Sequence, residues 1–131
     1  MADTSLAKKL VIKPHYHILL INAPEGYREH MGELPEGVTV TTQSDGPFDM
    51  VQAFAEQRAG LEEVAPLAIR AVKPDGLLWL TYPKKTGKIA SDLSREVTWE
   101  VLVPHHWHPV TQISIDETWS ALRFRPDEMN G

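Results

Sequence analysis

Tyr16-His17-Ile18-Leu19-Leu20-Ile21-Asn22 constrains this chain more tightly than any other segment. Its apolar side chains do not alternate with polar ones, so a strand here has no face to present to water. A strand buried on both sides belongs inside a sheet that carries helices on two faces. Leu77-Leu78-Trp79-Leu80-Thr81-Tyr82 repeats the pattern further along. Both runs are far too short to cross a bilayer as a helix.

The segments between them read as helices, turns and shorter strands. Ser5 to Leu10 is a short helical lead, closed at Lys13-Pro14 because the residue before a proline is pushed out of the helical region. Ala23-Pro24-Glu25-Gly26 breaks the first strand, and Glu25 to Gly32 has room for one short, polar helix. Gly37 to Thr42 is rich in β-branched residues and reads as a strand. Ser44-Asp45-Gly46-Pro47 is a turn cluster, and Phe48 to Phe54 is the next strand. From Arg58 to Val72, Leu61, Val64, Ala65, Ala68 and Val72 recur at helical spacing, and Pro66 predicts a kink or a division into two short helices.

Lys73-Pro74-Asp75-Gly76 then turns the chain into the second apolar run, and a polar, basic loop follows from Pro83 to Ala90. Ser91 or Asp92 is placed to cap a helix with Leu93, Val97, Val101 and Leu102 along one face, ended by Pro104, and Ser94 also suits a cap. Val110 to Ile115 and Trp119 to Phe124 flank the short connection Asp116-Glu117-Thr118, which suits an antiparallel pair. The tail from Pro126 to Gly131 reads as loose. The expected strands are thus 16–22, 37–42, 48–54, 76–82, 110–115 and 119–125. The class is α/β: a mostly parallel six-stranded sheet with an antiparallel C-terminal pair and helices on both faces.

No repeat or linker divides the 131 residues, so residues 1–131 are expected to form one domain. A hydrophobic content of 42% with 24% charged residues excludes disorder and fibrous classes. Cysteine is absent, which removes disulfides, thiolate metal sites and cysteine nucleophiles together. The start carries no basic stretch followed by an apolar one, so the expected compartment is the cytoplasm. The formal net charge of -5 argues against nucleic acid as a partner, and no membrane partner is expected.

Ile12-Lys13-Pro14-His15-Tyr16-His17-Ile18-Leu19-Leu20-Ile21 resembles the entry to the first strand of class I (Rossmann-like) methyltransferases. Phe48-Asp49-Met50-Val51, and later Ala71-Val72-Lys73-Pro74-Asp75-Gly76-Leu77-Leu78, are similar to the stretches that carry that fold's fourth and fifth strands. His106-Trp107-His108-Pro109-Val110 stands where the sixth begins. Tyr82-Pro83-Lys84-Lys85 and Asp116 to Pro126 together resemble a family of small bacterial proteins of unassigned function built on the same scaffold. The resemblance implies the spatial strand order 2-1-3-4-6-5. It also implies a glycine-rich turn after the first strand and an acid after the second, to hold S-adenosylmethionine. This chain has Asn22-Ala23-Pro24-Glu25-Gly26 at the first place and Thr41, Thr42 and Gln43 at the second. The expectation is a scaffold degenerate in its cofactor motif, with no cofactor.

The strongest local signal is electrostatic. Between Lys84 and Arg95 stand Lys84, Lys85, Lys88 and Arg95 against the single acid Asp92, in an otherwise acidic chain. That loop leaves the carboxyl end of a strand, where ligands settle in open α/β sheets. It then enters a helix whose first turn offers free amides. Lys84, Lys85 and Arg95 are therefore the expected anion-binding residues, with Asn22 and Tyr27 supplying polar contacts from the opposite wall. His15 and His17, and His105, His106 and His108, form no ligand spacing for a metal, so none is expected. No serine lies on a G-x-S-x-G elbow, and no catalytic residue is assigned. The expected function is a module that binds a small anionic ligand or a protein partner. An active methyltransferase using S-adenosylmethionine, or an interaction protein without ligand, are the alternatives. The four tryptophans are expected mostly in the core.

Overall fold

The structure, a computed structural model, describes residues 6–42 and 46–127. The start of the helical lead at Ser5, Gln43, the turn residues Ser44 and Asp45, and the tail from Glu128 onward lie outside the described residues. The elements are α1 (Leu6–Lys9), β1 (His17–Ile21), α2 (Tyr27–Met31), β2 (Thr39–Thr41), β3 (Phe48–Phe54) and α3 (Arg58–Ala71). They are followed by β4 (Val72–Pro83), α4 (Arg95–Leu102), a 3-10 turn (Val103–His105), β5 (Trp107–Ser114) and β6 (Trp119–Pro126). No described helix is long and apolar enough to cross a membrane.

One six-stranded sheet has the order β2-β1-β3-β4-β6-β5. The pairs β1–β2, β1–β3 and β3–β4 are parallel, while β4–β6 and β5–β6 are antiparallel. This is the order that the resemblance implies.

Successive strand residues serve opposite faces, which explains why the long runs do not alternate in polarity. Leu19, Val51, Ala53, Leu80 and Phe124 pack with Leu61, Val64 and Ala68 of α3 and Leu102 of α4. Ile18, Leu20, Met50, Phe54 and Trp79 pack on the other side with Leu10, Tyr27 and Met31. The Trp79 indole N–H is satisfied by the carbonyl of Leu10 at 3.1 Å. Trp79, Trp107 and Trp119 are core residues, whereas Trp99 is 45% exposed on α4.

Four local expectations need correction. First, α3 is one helix with Pro66 inside it, not the two short helices that were one of the two expectations there. The amide that proline lacks removes a single bond, and five buried side chains from Leu61 to Ala71 hold the helix across the gap. Second, β4 starts at Val72, directly after α3. Its register with β3 jumps from Phe48↔Val72 to Met50↔Leu77, so Lys73-Pro74-Asp75-Gly76 is an excursion within the strand. Lys73 Nζ anchors it to Asp49 Oδ1 at 2.8 Å, and a Cβ on Gly76 would meet the Asp49 carbonyl at 2.7 Å. Third, of the cap candidates Ser91, Asp92 and Ser94, it is Ser94 that caps α4: its Oγ accepts from the Val97 amide at 3.2 Å, while Ser91 and Asp92 lie before the helix and serve other groups. Fourth, β5 begins at Trp107, because His106 ends the 3-10 turn in the left-handed region at φ 66. A register shift between Pro109 and Thr111 accommodates the proline in this edge strand. At the far end β6 runs to Pro126, into the segment expected to be loose.

Candidate functional site

Strand order reverses between β1 and β3, since β1 leads outward to β2 and β3 leads the other way to β4. A crevice at the carboxyl ends of such strands is where open α/β sheets take their ligands. Here the crevice is a cleft of about 390 Å³ lined by Asn22 and Pro24 after β1, Phe54 at the end of β3, Ala55 to Gln57 after it, Gly60 on α3, and Trp119 at the start of β6. The chain leaves β1 through Asn22 in the left-handed region, φ 59. Pro24 offers no amide, and Gly26, φ 84, is the one glycine of the turn. β2 stops at Thr41, and no β2 residue lines the cleft.

The walls of this cleft are rooted in the core. Phe54 stands edge-on to Trp119 with ring centroids 5.4 Å apart, and edge-on to Tyr27 at 4.8 Å. Beneath them runs a buried polar chain. Tyr27 Oη donates to Gln52 Oε1 at 2.8 Å, and Gln52 Nε2 donates to Thr81 Oγ1 at 3.0 Å. Burial pushes the Tyr27 phenol well above its ordinary value, so it remains protonated and neutral.

The loop after β4 builds a second cleft at the same end of the sheet. It is fixed at both ends. The Lys84 amide donates to the Thr118 carbonyl at 2.8 Å. At its far end Gln57 Nε2 donates to the Ala90 carbonyl at 2.8 Å, and the Ser91 hydroxyl donates to the Glu56 carbonyl. Asp92 Oδ1 accepts from the Arg58 amide at 2.7 Å, so it caps α3, whose own N-cap residue Gln57 makes no side-chain cap bond. The resulting cleft, about 250 Å³, is lined by Lys84, Lys85, Ser94 and Arg95 on one side and by Tyr82, Gln112 and Ser120 on the other. Gln112 Nε2 donates to Tyr82 Oη at 3.0 Å, and burial raises the Tyr82 phenol against the opposing charge of Arg95. Glu96 is the one acid on this lining.

The structure thus brings Lys84, Lys85 and Arg95 to one cleft. It does not bring Asn22 or Tyr27 there. Asn22 lines the cleft at the strand reversal, and Tyr27, 4% exposed, lies beneath that cleft with its hydroxyl held by Gln52. Gln112 and Ser120 stand where the opposite wall was expected. Sequence reasoning missed Phe54, Glu56 and Gly60, while Trp119, read as a core residue near a strand end that could line a cleft, does both. The signal available for them was Gly60, a helix-weakening residue set in an amphipathic stretch. Among the described residues no three of His, Asp and Glu converge as a metal set.

No family model matches the chain, and no curated protein matches its sequence. Solved structures do match. A ribosomal protein L11 methylase from Lactobacillus delbrueckii subsp. bulgaricus is 11% identical with a TM-score of 0.61, covering 94% of this chain and 75% of that one. A precorrin-6y C5,15-methyltransferase from Geobacter metallireducens is 12% identical with a TM-score of 0.60, over 93% and 86% of the two chains. The DhpI–SAH complex is 14% identical with a TM-score of 0.59, over 86% and 78%. At these identities the likeness is one of fold. The chain has the Rossmann-like fold of class I S-adenosylmethionine-dependent methyltransferases.

Proposed function

We propose that this chain is a ligand-binding module on a methyltransferase scaffold, and that its ligand is a small anion held by Lys84, Lys85 and Arg95. The observation that carries this reading is convergence: the three cations line one cleft, and none of them is in an ion pair among the described residues. Arg95 offers a planar fork suited to two oxygens of a phosphate or carboxylate, while the lysines act as point charges. Lys84 reaches the Ser114 hydroxyl, a neutral partner that leaves its charge uncompensated.

The residues at the strand tips do not suit S-adenosylmethionine. The turn after β1 contains a proline where backbone donors would be wanted, and β2 ends in threonine rather than an acid for ribose hydroxyls. No step is therefore derived through that cofactor. A second reading, methyl transfer, draws its support from the cleft at the strand reversal on a scaffold that methyltransferases share.

A thermal-shift series with inorganic phosphate, citrate and S-adenosyl compounds separates the two, because a ligand that binds the native state raises its midpoint. Lys84→Ala with Lys85→Ala should leave stability within about 1 kcal/mol, since Lys85 is exposed and half-buried Lys84 gives up one hydrogen bond, to Ser114. The phosphate and citrate shifts should fall sharply in that variant, and added salt should weaken them in the parent. Identical responses of parent and variant to every anion would remove the anion reading. Micromolar calorimetric affinity for S-adenosylmethionine would favour the second.

A further inference from the structure

A third cleft, of about 260 Å³, opens at the end of the sheet opposite the two already described. Its walls come from the excursion at the start of β4 and from the end of β6: Asp75, Gly76 and Leu77 on one side, Arg123, Arg125 and Pro126 on the other. Arg123 and Arg125 are two residues apart on one strand, so both leave the face of the sheet that carries Trp79, the register partner of Arg123. The excursion that bears Asp75 is anchored, through Lys73 Nζ on Asp49 Oδ1 at 2.8 Å, so the facing wall has a fixed place.

The fold leaves the charges of this cleft unpaired. Neither arginine has a hydrogen bond or an ion pair among the described residues, and neither does Asp75. Lys73 feels the charge of Asp75, but its ammonium is bound to Asp49. Asp127, two residues past Arg125, is paired with His108 Nδ1 at 2.8 Å. Arg123 Nε is buried and is the one such side-chain nitrogen or oxygen among the described residues without a partner. A buried donor without an acceptor is costly, and native folds keep few of them.

We infer that this cleft binds a free α-amino acid, its carboxylate held by Arg123 and Arg125 and its ammonium by Asp75. A guanidinium donates side-on through Nε and one Nη, two parallel donors that match the two oxygens of a carboxylate, and this is the bond that Arg123 Nε lacks. Arg125 adds a second cation on the same face. Asp75 repels a further negative charge and attracts a positive one. In a cleft of this size both charges of the ligand must be borne close together, as they are on an α-carbon. Leu77, Pro74 and Pro126 leave the rest of the lining to an apolar side chain. The inference goes beyond the anion reading and uses none of its residues.

Calorimetric titration of L-alanine, L-valine and L-leucine into the intact protein tests this directly, and at least one should bind saturably below millimolar concentration. The deaminated and decarboxylated analogues of the one that binds, isovalerate and isobutylamine in the case of valine, should each bind about ten-fold more weakly or worse. Arg123→Met keeps the apolar stem and removes the orphaned donor, so it should leave the thermal midpoint unchanged or raise it while abolishing binding. Asp75→Asn, at an exposed position, should weaken amino-acid binding about ten-fold and spare the response to the deaminated analogue. If none of the three amino acids saturates, if the deaminated analogue binds as well as its parent, or if either variant binds as the unaltered protein does, the inference is overturned. Lys84, Lys85 and Arg95 are intact in both variants, so the phosphate response reports separately on the anion reading.

Discussion

The cleft at the strand reversal and the basic cleft open at the same end of the sheet, yet the first draws its aromatic walls from the core and the second draws its cations from a loop and the helix start that follows it. Phe54 and Trp119 belong to the packed face beneath α2, so their positions are settled by the same contacts that fold the protein. Lys85 and Arg95 are exposed, and only the backbone of their segment is fixed, at Thr118 on one side and at Glu56 to Arg58 on the other. Binding groups drawn from the core are preorganised but cannot be altered without destabilising the fold. Groups carried on a tethered loop can be altered freely, and they lose side-chain entropy when they engage.

Trp119→Ala should break the comparison most visibly. Removing a buried tryptophan costs about 3–5 kcal/mol, measurable as a lower urea midpoint, and takes a wall from one cleft only. The phosphate response of the surviving folded protein should persist. A loss below about 1 kcal/mol would mean that Trp119 is not the core anchor described, and the contrast would fail.

Asp92→Ala has a smaller expected effect, about 1 kcal/mol, typical of a lost helix cap. It should be felt in both clefts, because Asp92 ties the basic loop to the first turn of α3. Faster hydrogen exchange at the Arg58 amide, together with weaker phosphate binding, would confirm that tie. Unchanged exchange would show that the loop is held by Ser91 and Gln57 alone.

The smallest effect concerns the opposite end of the sheet and sharpens the contrast by sparing both clefts. Burial pushes the Asp49 carboxyl up, but hydrogen bonds from Lys73 and the His17 amide, with the nearby charge of Lys73, outweigh it and hold its pKa below the ordinary 3.8. The folded state then binds this proton less tightly than the unfolded state. The stability so contributed is present above the unfolded value and is lost as pH falls through the folded one. Thermal midpoints should therefore fall on acidification below about pH 4 more steeply in the parent than in Asp49→Asn. Parallel curves would remove Asp49 from the account.

The central strands were legible in runs such as Ile18 to Ile21 and Leu77 to Leu80, where local pattern and tertiary burial agree, while their spatial order came from the resemblance to methyltransferases. What escaped were contacts between residues distant in the chain. Asp92 looks like a cap for the helix just after it, and only the folded backbone reveals that it caps a helix starting 34 residues earlier. Lys73-Pro74-Asp75-Gly76 has turn chemistry, but an ion pair to Asp49 folds that turn into the start of β4. Lys84, Lys85 and Arg95 were legible as a group, since charge clustering along the sequence survives folding on a surface loop. Tyr27 was placed wrongly on a wall, because its short helix gives no sign of which face is buried until β3 is beneath it.

The buried chain from Tyr27 through Gln52 to Thr81 bears on how the sheet avoids misregistered pairing. Sliding β4 along β3 by two residues would keep every apolar side chain on its proper face, so hydrophobic contacts alone discriminate poorly against that error. A slip in the direction that sets Leu77 opposite Gln52 would move Thr81 about 6.6 Å further from the Gln52 amide. The amide nitrogen of a fully buried carboxamide would lose its acceptor, although Tyr27 still holds the oxygen, at a cost of about 1–3 kcal/mol. In a parallel sheet, whose partners meet only after long stretches of chain have been ordered, Gln52 gives the correct alignment an energetic mark that its leucine neighbours cannot supply.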